Sequence, residues 1–116
     1  MSKIKIPAYI RYNSNRIKQL QNKAQKDGVT LLILSGKFGI IPSEKPIEFY
    51  DKLLLKDEIN NHSELISNQL SNIPISKMIF YHKSVKYDPN LQNYIDCISK
   101  ACKNQKISLT LKEDDW

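Results

Sequence analysis

The stretch Leu31-Leu32-Ile33-Leu34-Ser35-Gly36-Lys37-Phe38-Gly39-Ile40-Ile41-Pro42 passes from a continuous apolar run into a small loop that contains two glycines. The run is apolar on both faces, which is typical of a strand buried in the middle of a parallel sheet. In open α/β sheets, ligands bind where loops leave the carboxyl ends of such strands. We therefore expect the functional residues to lie between Ser35 and Asp51.

The other elements follow from apolar periodicity and from helix start and stop signals. Pro7 cannot donate to a strand ladder, so the segment around it is limited to an edge strand or an extended arm. In chain order we expect an edge strand or arm over 3–10, a helix from 13 or 14 to 27, a strand over 29–34, a helix over 57–70, a strand over 77–81, a helix starting at 88–89 and a strand over 106–111. Residues 35–55 are expected to form a long, ordered connection.

This order predicts an α/β fold, a three-layer domain with a small, mainly parallel sheet of three to four strands flanked by helices. At 116 residues the chain is expected to form one domain, 1–116, with a modest core. An open edge of so small a sheet could be completed by a second copy of the chain or by a partner chain. No apolar run approaches the ~18 residues of a membrane span, and no apolar leader begins the sequence, so we expect a cytoplasmic protein without a membrane partner.

The net charge of +6 is unevenly distributed. Residues 1–57 hold eleven Lys/Arg against five Asp/Glu, whereas residues 58–116 hold seven of each. Such an excess indicates a polyanionic partner, commonly nucleic acid. A lysine-rich surface that is merely solvated is the alternative, and the sequence leaves both open.

The loop after the apolar run can do chemistry although it lacks the spacing of a phosphate-binding Walker loop. Its glycines, Gly36 and Gly39, let the backbone approach a ligand closely, and exposed amides in such a turn can hold an anion. Ser35 offers a hydroxyl and Lys37 a positive charge. The alternative is a tight turn with an exposed lysine.

A longer segment that contains this loop resembles a family of small bacterial, archaeal and viral domains of unknown function. That family has the pattern L-S-A-K-Y-G-L-L-x-P-x-x-x-I-x-P-Y-D-x-x-L, and here residues 34–54 read L-S-G-K-F-G-I-I-P-S-E-K-P-I-E-F-Y-D-K-L-L. Its upstream A-R-x-L-Y-x-S segment corresponds to A-Y-I-R-Y-N-S at residues 8–14. Similar elements occur in the peroxide-stress DNA-binding protein family and in a domain of archaeosine synthase. The resemblance implies a nucleobase, a nucleotide or nucleic acid as the ligand.

Residue roles can be assigned on that basis. Tyr50 and Tyr12 could stack a base, and Asp51 could accept a hydrogen bond or act as a general base beside Ser35. Alternatively, Tyr50 packs under the loop and Asp51 fixes it through backbone amides. The full set of expected ligand-binding residues is Arg11, Tyr12, Ser14, Gly36, Lys37, Gly39, Glu44, Tyr50 and His82.

His82 enters this set because it follows the strand over 77–81 at its carboxyl end, where it would share a sheet edge with Ser35. A histidine there can titrate near neutral pH or contact phosphate, although a surface histidine without a role is common. Cys97 and Cys102 match neither a zinc knuckle nor a redox pair, and we expect two buried thiols. No spacing indicates a metal, and no cofactor is expected.

The sequence thus supports three hypotheses of function. The first is a small domain that binds a nucleobase, nucleotide or nucleic acid at the carboxyl edge of its sheet, with base modification or glycosidic-bond chemistry if it is an enzyme. The second is a non-catalytic nucleic-acid-binding protein that uses its basic amino-terminal half. The third is a protein-interaction module that binds through the sheet edge and Leu53–Leu55.

Overall fold

The computed structural model describes residues 5–11, 14–48, 52–86 and 88–113. The chain divides into two compact units, Met1–Lys52 (unit 1) and Leu53–Trp116 (unit 2). Both contain helices and strands, so the mixture of α and β structure expected from the sequence is present. The single domain over 1–116 stays a prediction alongside this division.

Unit 1 contains two short helices and two strand pairs among its described residues. In chain order these are β1 (Ile6–Pro7), α1 (Ala8–Arg11), α2 (Asn15–Asp27), β2 (Leu32–Ser35), β3 (Gly39–Pro42) and β4 (Pro46–Ile47). β2 and β3 form an antiparallel hairpin in which Leu32 pairs with Pro42 and Ser35 with Gly39. β1 and β4 are also antiparallel, with Ile6 opposite Ile47.

Helix α2 begins and ends where its capping residues predict. The Ser14 hydroxyl accepts from the backbone N–H of Ile17 at 3.3 Å, which satisfies one of the free amides of the first turn. Gly28 ends the helix in the left-handed region at φ 69°, and its N–H returns to the Ala24 and Gln25 carbonyls. The helix expected from 13 or 14 to 27 is therefore confirmed.

The core of unit 1 is a small apolar cluster formed by Ala8, Ile33, Ile41 and Ile47. These residues come from α1, β2, β3 and β4, so the cluster holds both strand pairs together. Tyr9, Ile17 and Phe38 pack against it and are partly buried. Apolar burial of this kind contributes about 25 cal/mol for each Å² removed from water.

Unit 2 joins two helices to a parallel strand pair. A 3₁₀ turn (Lys56–Glu58) leads into α3 (Ile59–Ser71), followed by β5 (Lys77–His82), α4 (Leu91–Asn104) and β6 (Ser108–Glu113). β5 and β6 are parallel, from Lys77 opposite Ser108 to His82 opposite Glu113, and α4 is the crossover between them. α3 packs against α4, and its most deeply buried side chains are those of Ile66 and Leu70.

The predicted three- to four-stranded, mainly parallel sheet is wrong. Across the described ranges the strands form three separate pairs, and the pairing is parallel only between β5 and β6. The central apolar strand pairs antiparallel with β3, because the chain reverses at residues 36–38 and returns through a second apolar stretch that we expected to be loop. A four-residue strand directly after a tight turn offers too little periodicity to be recognised.

The remaining boundaries differ by a few residues from those expected. The amino-terminal arm is a strand only over Ile6–Pro7 and becomes helical at Ala8. α3 starts at Ile59 after the 3₁₀ turn rather than at 57, and α4 starts at Leu91 after the Asp88-Pro89 signal. In the part of the chain that the structure describes, every helix falls short of the length and apolarity that crossing a membrane requires.

Candidate functional site

The loop after β2 is a hairpin turn that the Ser35 side chain closes. Ser35 is 5% exposed, and its Oγ accepts from the backbone N–H groups of Lys37 and Phe38, both at 3.1 Å. Opposite Ser35, Gly39 has a φ of 74°, a left-handed conformation that glycine adopts without strain. The amides expected to hold an anion near Gly36 therefore include two that already bind Ser35.

Lys37 lies at the tip of this hairpin with its side chain exposed. Its Nζ is 5.2 Å from the centroid of the Phe38 ring, a cation–π contact, while Phe38 packs against the core cluster of unit 1. The lysine thus places a positive charge at the tip of the hairpin.

The other expected site residues of unit 1 have structural contacts of their own. Arg11 Nη2 donates to the Ile47 carbonyl at 3.4 Å, which ties α1 to β4, and Ser14 caps α2. Glu44 lies in the turn between β3 and β4 and is held by helix α2, as described below. Tyr12, Tyr50 and Asp51 lie outside the described residues.

His82 ends β5 in unit 2. Its Nδ1 is 2.7 Å from the Lys83 carbonyl oxygen, and its ring stacks on Phe80 with centroids 5.8 Å apart and an interplanar angle of 27°. β2 and β5 belong to different strand pairs among the described residues, so no shared sheet edge brings His82 to Ser35. His82 and Ser35 were expected to share one edge of a parallel sheet. That expectation is wrong because β2 and β5 do not belong to one sheet.

Two glutamines of α2, which no sequence motif indicates, form a polar network with the turn after β3. The Ser43 hydroxyl donates to Gln21 Oε1, and both residues are only 4% exposed. Gln21 Nε2 donates to Glu44 Oε1 at 3.1 Å, and Gln25 Nε2 donates to the same oxygen at 3.2 Å. The i, i+4 spacing of Gln21 and Gln25 puts both amides on one side of the helix, where they fix the carboxylate.

This polar network lines a pocket of about 170 Å³ within unit 1. Its walls combine the polar side chains with apolar ones from the end of α2, the approach to β2 and the end of β3. The lining residues are Gln21, Ala24, Gln25, Val29, Thr30, Leu31, Pro42, Ser43 and Glu44. A fixed carboxylate beside apolar walls suits a small ring that carries a hydrogen-bond donor.

The outer face of α2 is basic, and we call its four cations, Arg16, Lys18, Lys23 and Lys26, the α2 basic face. Leu20, Gln21 and Ala24 are buried on the opposite side. Asp27 is the one acidic residue of this helix, and it forms an ion pair with Lys23 at 2.9 Å. Lys23 and Lys26 are exposed, whereas Arg16 and Lys18 are half-buried at the borders of this face.

The division of charge follows the division of the chain. Unit 1 contains ten Lys/Arg against four Asp/Glu, whereas unit 2 contains eight of each. The full excess of +6 thus belongs to the unit that carries the α2 basic face. Within the described ranges, no group of three or more His, Cys, Asp and Glu side chains could hold a metal ion.

The two cysteines of unit 2 are free and buried, as expected from their spacing. Burial raises the pKa of Cys97 to about 11, although nearby Lys100 acts in the opposite direction, and burial also raises the pKa of Cys102. Thiols that keep their protons at neutral pH are poor nucleophiles. These residues belong to the core of unit 2 and not to a reactive site.

Comparison of the chain with protein-family models, with curated proteins and with solved structures gives no match.

Proposed function

We propose that this protein binds nucleic acid through the α2 basic face. The observation that carries the proposal is the location of charge: the whole positive excess of the chain lies in unit 1, and four of its cations follow one another along a single helix. If the lysines served only to keep the surface solvated, we would expect the positive excess to be spread over both units, whereas unit 2 is neutral.

The side chains between these cations strengthen the proposal. Asn15, Gln19 and Asn22 are exposed on the same outer surface of α2. Lysine and arginine bind phosphates, and amide side chains donate to phosphate and sugar oxygens or to base edges. A helix face of this composition suits a nucleic-acid backbone better than it suits a neutral protein surface.

The family resemblance of residues 8–54 points to the same class of ligand. It covers α1, α2 and the β2–β3 hairpin, which are the elements that carry the basic face and Lys37. Catalysis by Asp51 with Ser35 stays a prediction, since Asp51 lies outside the described residues. The contacts of Ser35 with the turn amides support a structural role for that hydroxyl.

The test is a binding measurement with a charge-matched control. Fluorescence anisotropy would follow labelled 12-mer oligonucleotides, single- and double-stranded, at 50 mM salt with three proteins. These are the wild type, the variant Lys18→Gln/Lys23→Gln/Lys26→Gln and the variant Lys56→Gln/Lys77→Gln/Lys103→Gln. Both triple variants lower the net charge by the same amount, and the control lysines are exposed residues of unit 2.

We expect the α2 variant to lose about tenfold or more in affinity, because each lost phosphate contact removes counterion release. The unit 2 control should change affinity by less than about threefold, the effect of net charge alone. If both variants lose affinity equally, net charge alone explains the binding and the α2 basic face has no special role. Absence of binding by the wild type would refute the proposal. Circular dichroism of the variants would verify that they are folded.

A further inference from the structure

The pocket lined by Gln21, Gln25 and Glu44 has features that a merely structural contact would not require. A glutamate in an exposed turn is usually free to move, yet two helix amides donate to the same oxygen, Glu44 Oε1. One of those amides belongs to Gln21, which is 4% exposed and is itself fixed by the Ser43 hydroxyl. The carboxylate is therefore held in one orientation at the wall of a cavity.

We infer that this pocket binds an unpaired cytosine base, an inference that rests on the proposed function and adds base selectivity to it. The first argument is size. The cavity measures about 170 Å³, well below the roughly 300–1,000 Å³ of pockets for drug-sized ligands. An apolar cavity of ~150 Å³ accommodates one benzene ring, so this pocket has room for a single six-membered ring.

The second argument is the pattern of donors and acceptors. Within the part of the chain that the structure describes, both amides bind Glu44 Oε1, so Oε2 is the acceptor left for a ligand. Each glutamine amide has two N–H donors and needs only one of them for Glu44. The pocket thus offers a carboxylate acceptor next to amide donors.

Cytosine has the complementary edge. Its N4 amino group donates, and its N3 and O2 atoms accept, whereas uracil and thymine have a carbonyl oxygen in place of the amino group. A carboxylate that accepts from cytosine N4 is an established form of base recognition. In the orientation that places the cytosine amino group on this carboxylate, uracil presents its O4 carbonyl instead, which the carboxylate repels. This orientation is therefore open to cytosine and closed to uracil.

The apolar part of the wall fits this assignment. Ala24, Val29, Leu31 and Pro42 line the same cavity and can cover the faces of a ring. Val29 is 63% exposed, so an apolar side chain stands at the mouth of the pocket without protein cover. A base entering the pocket would remove that surface from water.

The test uses the full chain and free nucleosides, which carry no phosphate. Cytidine, uridine, adenosine and guanosine would each be titrated up to millimolar concentration while NMR follows the side-chain amide signals of Gln21 and Gln25. We expect cytidine to shift these signals saturably and to bind at least about tenfold more tightly than uridine. Equal affinity for the two pyrimidines, tighter binding of a purine, shifts located elsewhere or no shift would each overturn the inference.

The variant Glu44→Gln separates recognition from structure. Its amide oxygen can still accept from Gln21 and Gln25, so the turn stays attached to α2, but an N–H donor replaces Oε2. Cytidine binding should fall to the level of uridine while thermal stability stays close to that of the wild type. A variant that folds and still prefers cytidine would refute the role of Glu44.

The Lys18→Gln/Lys23→Gln/Lys26→Gln variant distinguishes failure of this inference from failure of the proposed function. It should lose oligonucleotide affinity yet retain cytidine binding, because nucleosides make no phosphate contact. Oligonucleotide binding without cytidine selectivity would leave the proposed function standing and the inference refuted. Cytidine binding by a wild-type protein that does not bind oligonucleotides would refute the proposed function and leave the cytosine pocket standing.

Discussion

The hydroxyl of Ser35 serves the hairpin by accepting from two successive backbone amides. We expect Ser35→Ala to lower the free energy of unfolding by about 1–3 kcal/mol, since two partly buried N–H groups lose their acceptor. Urea denaturation measures this change. Ser108→Ala, which removes an exposed hydroxyl from β6, is the matched control and should cost less than about 0.5 kcal/mol. Equal effects of the two substitutions would contradict a special role for Ser35 in the turn.

The thiols of Cys97 and Cys102 should resist alkylation in the folded protein. Burial raises the pKa of Cys97 to about 11 from an ordinary value of 9.0, so at pH 8 almost none of it is thiolate. The folded state keeps this proton between pH 9 and 11 while the unfolded state releases it, so the contribution to stability is lost as the pH rises through that window. Mass spectrometry after iodoacetamide treatment at pH 8 should find modification only in denaturant, and rapid labelling of the native protein would disprove this.

Among the elements, helix α2 depends on a glycine at its carboxyl end. Gly28 has a φ of 69°, and a Cβ built there meets no atom within 4 Å, so a substitution meets backbone strain without a steric clash. We expect Gly28→Ala to destabilise the protein by about 1–2 kcal/mol, and Gly28→Asn by clearly less, because asparagine tolerates the left-handed region. Thermal unfolding of both variants provides the comparison. The same loss in both would show that the side chain is excluded for another reason.

Elements with local signals were predictable from the sequence, but the pairing of β2 was not. The caps Ser14 and Gly28 lie next to the helix that they define, so their residue types alone place α2. The direction of pairing for β2 depends instead on Gly39–Pro42, a four-residue strand whose apolar residues are too few to show alternation. Parallel pairing of β5 with β6 was predictable because a strong helix separates them.

The candidate site was likewise predictable from the sequence only in part. Glu44 was among the expected ligand-binding residues, but its partners Gln21 and Gln25 have no sequence signal, since two glutamines four residues apart are common on any solvated helix. Only tertiary packing reveals that Gln21 is buried beneath a turn 22 residues away. Residue types can indicate the chemistry of such a pocket only after the fold has brought them together.

For the whole molecule, the decisive property is that the net charge of +6 belongs to unit 1. Affinity for a single-stranded oligonucleotide should therefore fall linearly in a plot of log K against log salt concentration, by about 0.7 for each phosphate contact. Neutralising Lys18, Lys23 and Lys26 should make that slope shallower by about 2, whereas the Lys56, Lys77 and Lys103 variant should keep the wild-type slope. Anisotropy titrations between 50 and 200 mM salt measure both. A slope unaffected by the α2 substitutions would place the contacts elsewhere.

The parallel pairing in unit 2 has a consequence for synthesis on the ribosome. Lys77 pairs with Ser108, 31 residues later, so β5 leaves the ribosome well before its partner strand has been translated. At roughly 5–20 residues per second, β5 waits about two to six seconds with an open edge. The β2–β3 hairpin has no such delay, since its strands are three residues apart and hairpins close in about 1–10 μs. Nascent unit 2 thus exposes a strand edge that a chaperone could bind, and slower translation lengthens that exposure.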